Sequence, residues 1–260
     1  SVKTAKLVAA VVPNGVNFDS LDGEDVKLIF LIAAPEGNNN LHLEVLSTLS
    51  TLLMNKEFKE KLINSKLYLD TVKQIESFKF ITNGKWDWEH GLGHYKRVAE
   101  YVKTILLQLN ADERMVDLGM TAALLHDIGL SKGDKTDHAI ESSKIFTRFI
   151  DKNDITQDEE NTLRQAILDH SKGNNIQSLI GLSLVLADKL DVTYHRTINS
   201  SIQDKMNKEI QKIKKVDVNI SNKELIIKYT TDDTFDVEIL KDWPKAITVP
   251  YKVSKYLKIN

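Results

Sequence analysis

The sequence predicts a mainly α protein: a long helical domain with a small α/β unit before it and a short β-hairpin tail after it. Three observations predict this. Two β-type apolar runs open the chain, helix-period spacing of apolar residues runs almost unbroken from about residue 70 to 215, and strand-like alternation returns only at the end. With 260 residues the chain exceeds a typical single domain. The changes of texture divide it into residues 1–69, 70–215 and 216–260.

The opening strands are KLVAAVVP (Lys6 to Pro13) and VKLIFLIAAP (Val26 to Pro35), each ended by proline and separated by an Asp/Gly-rich turn. LHLEVLSTLSTLLM and NKEFKEKLINS follow as helices, with Leu43, Leu46, Leu49, Leu52 and Leu53 in helical spacing and Asn40 or Asn55 as caps. The opening unit therefore reads β-β-α-α. Breaks in the helical domain fall at Asn83-Gly84, Asn110, Gly129 to Asp137, Asp151 to Thr156 and Gly173 to Asn175. In the tail, VDVNIS and LIIKYT flank a polar turn as a hairpin, and Trp243-Pro244 precedes a last short helix. The tail is expected to pack on the helical domain.

Composition removes several function classes. A formal charge of -2 leaves no electrostatic footprint for nucleic acid or an anionic membrane. Cysteine is absent, so disulfides, thiolate zinc sites and cysteine nucleophiles are excluded, and any metal must be held by histidine and carboxylate. No apolar run approaches the roughly 20 residues of a membrane span, and Ser1 is not followed by a charged, apolar leader, so the expected location is the cytoplasm.

The helical region carries the chemistry. Five of the seven histidines lie there at helix-like positions: His94 in GLGHYKRVAEYV, His126 in LLHDIG, His138 in TDHAIESS, His170 in ILDH, and His90 one turn before His94. A lone histidine on a helix is more often a satisfied structural residue than a ligand. Asp188 changes the balance, because LSLVLADKLD sets a carboxylate in an apolar helix, where an unpaired charge costs several kcal/mol. A dication neutralises it, and imidazole with carboxylate suits Fe, Mn, Co, Ni or Zn. His42 reads as a solvated helix-start residue. His90 shares a helical face with His94 only if the helix begins early, and Gly91 and Gly93 favour a loop. Neighbouring helical positions diverge by about 100°, so His126 and Asp127 face one site only where the helix ends. Gly129 is expected to provide that end.

His94-x-x-Arg97-Val98, His126-Asp127-Ile128-Gly129, His138, His170 and Ala187-Asp188-Lys189 together resemble the HD superfamily of metal-dependent phosphohydrolases, over about residues 85 to 200. The resemblance implies an HD-type helical bundle. It also implies one divalent ion on His94, His126, Asp127 and Asp188, and a second on Asp127, His138 and His170. Two dications about 3.5–4 Å apart supply a nucleophile at neutral pH and polarise a phosphoryl oxygen. Asp127, Lys189 and Arg97 are the expected catalytic residues. Lys132, Lys135 and Arg196 are further cations near the motifs that are able to hold phosphate charge. The resemblance is closest to the branch that includes symmetrical dinucleoside-tetraphosphate hydrolases. No Gly-Tyr-Pro follows His170, unlike the cyclic-diguanylate phosphodiesterases, and the Glu-Asp motif of alarmone hydrolases is missing. The expected substrate is a phosphorylated small molecule such as a nucleotide. The competing expectation is a regulatory or assembly protein whose HD fold binds a phosphorylated ligand without turnover.

VNFDSLDGEDVKLIFLIAAPEGNNNLHLEVLSTLSTLL resembles the later half of the enzyme IIA domain of fructose/mannitol-type phosphotransferase systems, roughly Val2 to Lys66. That family takes phosphate on a histidine in an Ile-Pro-His stretch, which is absent here, and His42 does not match it. A fusion partner, a truncation and an engineered chimera all account for such a segment. Half of an α/β domain exposes apolar strand edges, so the unit is expected to pack on the helical domain or to pair with a second chain as a homo-oligomer.

Overall fold

The computed structural model describes residues 6–33, 41–55, 66–76, 90–132, 136–197 and 205–259. The chain divides into two compact units, Ser1–Lys66 and Leu67–Asn260. The expected helix over NKEFKEKLINS, Asn40 and the Asn83-Gly84 break lie outside the described residues.

In the first unit β1 (Lys6–Val16) pairs antiparallel with β2 (Val26–Ala33), Lys6 opposite Ala33 and Val11 opposite Leu28. Pro13 does not end β1, contrary to expectation. The register shifts between Val11 and Val16, and an irregular stretch tolerates a residue that has no N–H to give the ladder. Gly15 beyond it has φ +73°, a left-handed conformation that glycine adopts without strain. Helix α1 (Leu41–Leu53) supplies Val45, Leu49 and Leu52, which line one groove with Leu7. Among the described residues of this unit none is buried, and Leu7, Val8, Phe18 and Leu31 are all more than half exposed. Among its described residues, two strands and one helix enclose no core, as expected of a partial α/β unit.

The second unit is a helical bundle with a hairpin. It contains α2 (Lys66–Glu76), α3 (Leu92–Gln108), α4 (Glu113–Leu125), α5 (His138–Ile145), α6 (Gln157–Asp169), α7 (Leu179–Leu190), α8 (Lys205–Ile210), β3 (Ile213–Ile220), β4 (Leu225–Thr231) and α9 (Lys245–Leu257). The chain is thus mainly α, with a partial α/β unit first and a β-hairpin near its end. α4 and α7 form the centre, since every residue from Val116 to Leu125 and from Ile180 to Ala187 is buried. A helix apolar on all sides is stable only inside a bundle. α3 buries one stripe, Tyr95, Val98, Ala99, Val102, Ile105 and Leu106, against them.

Local signals fix the ends. Asp112 accepts from Met115 N at the start of α4, Ser178 accepts from Gly181 N at the start of α7, and Thr156 with Glu159 forms a capping box on α6. Asn110, at φ +57°, turns the chain after α3.

β3 begins at Ile213, before the tail boundary read at 216, and its apolar face joins the helical core. Its free edge is closed by α3. Gln108 donates to the Val218 carbonyl at 3.1 Å and accepts from Ile220 N at 2.7 Å, while the Tyr101 hydroxyl donates to the Val216 carbonyl. A strand edge that would otherwise seek another strand is thereby satisfied.

α2 is anchored through a buried acid. Leu67, Thr71 and Ile75 are buried, and Asp117 of α4 accepts from Tyr68 N at 3.0 Å, taking one of the orphan donors at the start of α2. Burial pushes the Asp117 carboxyl up to about 6, against the backbone N–H groups and Arg114 that favour its charge. The folded chain therefore keeps this proton up to about pH 6, whereas the unfolded chain releases it near pH 4. Stability from this group falls as pH rises through that window, by roughly 2–3 kcal/mol at most. Asp117→Asn, which keeps an acceptor for Tyr68 N, is expected to flatten the slope of melting temperature against pH between about 4 and 6. An unaltered slope in thermal melts counts against this account.

Candidate metal centre

Five helices deliver the donors. His94 lies two residues into α3, His126 caps the C-terminus of α4 with Asp127 next to it, His138 opens α5, His170 caps α6, and Asp188 lies in the last turn of α7. All six residues meet. His94 Nε2 lies 3.2 Å from His126 Nε2 and 3.4 Å from Asp188 Oδ1, and His126 Nε2 lies 3.7 Å from the same oxygen. Asp127 Oδ2 faces this group, 3.6 Å from His126 Nε2 and 3.9 Å from His94 Nε2. Its other oxygen, Oδ1, lies 3.3 Å from His138 Nε2 and 3.2 Å from His170 Nε2, which are themselves 3.1 Å apart. One carboxylate therefore serves two donor sets.

The residues fit a divalent ion by their own chemistry. Metal–ligand bonds of about 2.1 Å place neighbouring donors about 3 Å apart and opposite donors about 4.2 Å apart, and every separation just given falls in that interval. The protons point outward. His126 Nδ1 donates to the Ala123 carbonyl at 2.7 Å and His170 Nδ1 to the Ile167 carbonyl at 2.6 Å, the same cap repeated on two helices. A carbonyl only accepts, so each neutral ring presents a bare Nε2 to the cluster. His94 Nδ1 lies 2.7 Å from Asp191 Oδ2 and completes the pattern. Bare nitrogens and carboxylates converging at these distances repel one another unless positive charge lies among them. The titration preferences express the same demand. Burial pushes Asp127 upward, yet His126, His170 and His90 outweigh it and hold the carboxyl well below the usual range. Burial lowers His126, but Asp127 and Asp188 overcome it and raise that imidazole.

The cations expected to act on phosphate are placed less directly. Arg97 lies not among the donors but on Asp191, with Nε to Oδ1 at 2.7 Å and Nη2 to Oδ2 at 3.1 Å. His94 and Arg97 are one helical turn apart on the same face, so both meet one partner. Burial works against the Asp191 charge, but the His94 and Arg97 hydrogen bonds prevail and bring its carboxyl down to about 2. Arg196 is buried with Nε 4.0 Å from Asp191 Oδ2. Lys189 pairs with Asp188 Oδ2, leaving Oδ1 to the donor set, and its side chain is 12% exposed. His195 is exposed and stacks on Tyr194. Lys135 and the side chains of Lys132 and His42 lie outside the described residues.

Sequence reading missed two residues. Asp191 follows Asp188 by one turn, a spacing that could have paired it with the face of α3 carrying His94 and Arg97. His90, whose neighbouring glycines favour a loop, is not among the six expected donors. Its backbone indeed lies outside α3, whose N-cap is Gly91, yet its Nδ1 reaches 2.8 Å from Asp127 Oδ2.

Gly129 also acts differently from the helix stop expected of it. α4 already ends at Leu125, and Gly129 lies within a 3-10 turn over Ile128–Lys132. Its N–H donates to Ser142 Oγ at 2.8 Å, and a Cβ there would collide with the His138 carbonyl oxygen and the Ser142 amide nitrogen. The glycine lets α5 approach closely enough to present His138. Gly129→Ala is expected to lower metal occupancy of the His138–His170 set by about tenfold or more while sparing the other set, as read by metal titration. Equal loss from both sets would contradict that role.

Residues 91–193 match the family described as HD domain, and residues 1–77 match the family described as phosphoenolpyruvate-dependent sugar phosphotransferase system, EIIA 2. Among curated proteins, the chain is similar to the PTS system fructose-specific EIIABC component of Bacillus subtilis (strain 168), 53% identical over 53 residues, which is 20% of this chain and 8% of the relative. It is also similar to the protein of the same description in Mycoplasma pneumoniae, 42% identical over 72 residues, 28% of this chain and 10% of the relative. The nitrogen regulatory protein of Bradyrhizobium diazoefficiens is 39% identical over 51 residues, 20% of this chain and 33% of that protein. The chain spans a tenth or less of the length of the first two relatives. No helix among the described residues is long and apolar enough to cross a membrane. With its buried His/Asp cluster lying within the matched range, the chain carries an HD domain, a type that is typically a metal-dependent phosphohydrolase, together with an EIIA 2 segment of sugar phosphotransferase systems.

Proposed function

We propose that this protein hydrolyses a phosphate ester or anhydride, with a nucleotide as the favoured substrate class, using two divalent ions held by the HD domain. The observation that carries the reading is the division of Asp127: Oδ2 turns to His94, His126 and Asp188, and Oδ1 turns to His138 and His170. His94, His126, Asp127 and Asp188 hold the first ion, and Asp127, His138 and His170 the second. Bound ions would supply a nucleophile from water and polarise the phosphoryl oxygen. The imidazole-rich donors favour Fe, Mn or Co over Mg, which prefers oxygen and keeps its waters.

The chain's own groups complete the site. Arg97 holds Asp191, Asp191 holds the His94 ring with Nε2 inward, and Lys189 steadies Asp188 while offering its ammonium to an incoming phosphate. No cysteine is present and the motif residues are donors, so no covalent phosphoenzyme is needed. In this reading the parts are 1–69, 70–215 and 216–260, the protein works in the cytoplasm, and the first unit meets phosphotransferase components or a second copy of the chain. The experiment is metal analysis of the purified chain combined with phosphate release across a nucleotide panel in isotopically labelled water. Label entering phosphate in a single turnover, abolished by chelation and restored by Mn or Fe better than by Mg, supports the reading. A trapped phosphoryl adduct, or turnover indifferent to chelation, overturns it.

A further inference from the structure

His90 is the one imidazole at the cluster to which the preceding reading gives no task. Its side chain is only 12% exposed, it stands edge-on to His94 with ring centroids 5.9 Å apart, and Nδ1 lies 2.8 Å from Asp127 Oδ2. It approaches the oxygen that faces the first donor set, not the oxygen shared with His138 and His170. Donor atoms of His90, His94 and Asp127 lie within 4.8 Å of one another, as do those of His94, His126 and Asp188. A single ion with bonds of about 2.1 Å is reached from such spacings by modest side-chain movement.

We propose that His90 is a fifth protein donor to the first ion. The inference rests on the metal-dependent reading above. With His94, His126, Asp127 and Asp188 it makes a shell of three imidazoles and two carboxylates, which leaves one position of an octahedron for water or a phosphoryl oxygen. That shell suits Fe, Mn or Co and disfavours Zn, whose protein sites are mostly four-coordinate. The second ion keeps three donors, so the two positions are unequal by construction. His90 also differs in its mounting, because it precedes α3, whereas His94 is held within that helix.

The alternative is a hydrogen bond from His90 that merely orients Asp127. Cobalt(II) titration of the full-length chain separates the two, using His90→Gln and His90→Ala. A glutamine amide still donates to a carboxylate but ligates poorly. If His90 is a donor, both variants lose more than the roughly 10–100-fold in first-equivalent affinity that an orienting partner is worth. Both then also show a changed visible spectrum, because the shell has lost a nitrogen. If His90→Gln matches the unsubstituted protein in affinity and spectrum, the fifth donor is overturned while the metal reading survives. Failure of the unsubstituted protein to bind cobalt overturns both.

Discussion

Asp127→Ala is expected to empty both donor sets at once. Metal content should fall from about two ions per chain to near zero, and phosphate release should drop by at least about a thousandfold, close to 4 kcal/mol of transition-state stabilisation. The reason is the sharing of one carboxylate, since Oδ1 lies 3.2 Å from His170 and Oδ2 lies 3.6 Å from His126. Substitution of His138 or His170 should instead remove only one ion. The helical fold should survive Asp127→Ala, because the apolar contacts of α4 stay in place and the facing imidazoles go neutral once the carboxylate is gone. Metal analysis beside far-ultraviolet circular dichroism checks it. A variant that still holds one ion would show that one set stands without the bridge.

Deleting α2 is expected to unfold the helical domain, whereas deleting the segment before it is not. A chain beginning at Leu67 keeps the whole second unit and every donor, so it should retain metal and turnover. A chain beginning at His90 loses Leu67 and Ile75, which are 2% and 1% exposed, and takes away the Tyr68 N–H that Asp117 accepts. Losing two buried side chains removes roughly 3–6 kcal/mol of burial, and an unpaired buried carboxyl adds about 1–3 more. Together these approach the 5–15 kcal/mol that holds a typical domain together. Chemical denaturation of the two truncated chains decides it. A stable chain beginning at His90 would make α2 dispensable. Loss of turnover in a folded, metal-loaded chain beginning at Leu67 would give the first unit a part in the substrate site.

What the sequence made legible was whatever has a local cause. The apolar stripe of α3, the capping residues Asp112, Thr156 and Ser178, and the alternation in β3 and β4 each write their structure into a few neighbouring residues. The six donors were legible for another reason: His-Asp at a helix end and Asp188 in an apolar run are costly unless something answers them. Asp191, Asp117 and His90 were not legible, because each acts on a partner far along the chain. Asp191 meets His94, Asp117 meets Tyr68, and His90 meets Asp127, and apart from the one-turn spacing of Asp191 from Asp188 no short-range pattern points to those encounters. Gly129 looks like a stop in the sequence because glycine often ends a helix. Its real constraint is the proximity of the α5 backbone, thirteen residues away at Ser142.

The two donor sets also differ in how deeply they are rooted. His94, His126 and Asp188 hang on α3, α4 and α7, the helices whose mutual burial is the core itself. His138 begins an eight-residue helix whose ring is 16% exposed and whose place depends on one glycine contact. Openings of short peripheral helices generally cost less than global unfolding, whereas parting α3, α4 and α7 would break the core itself. An ion on the His138 side is therefore expected to exchange faster than one on the His94 side, as isotope exchange of bound metal would check.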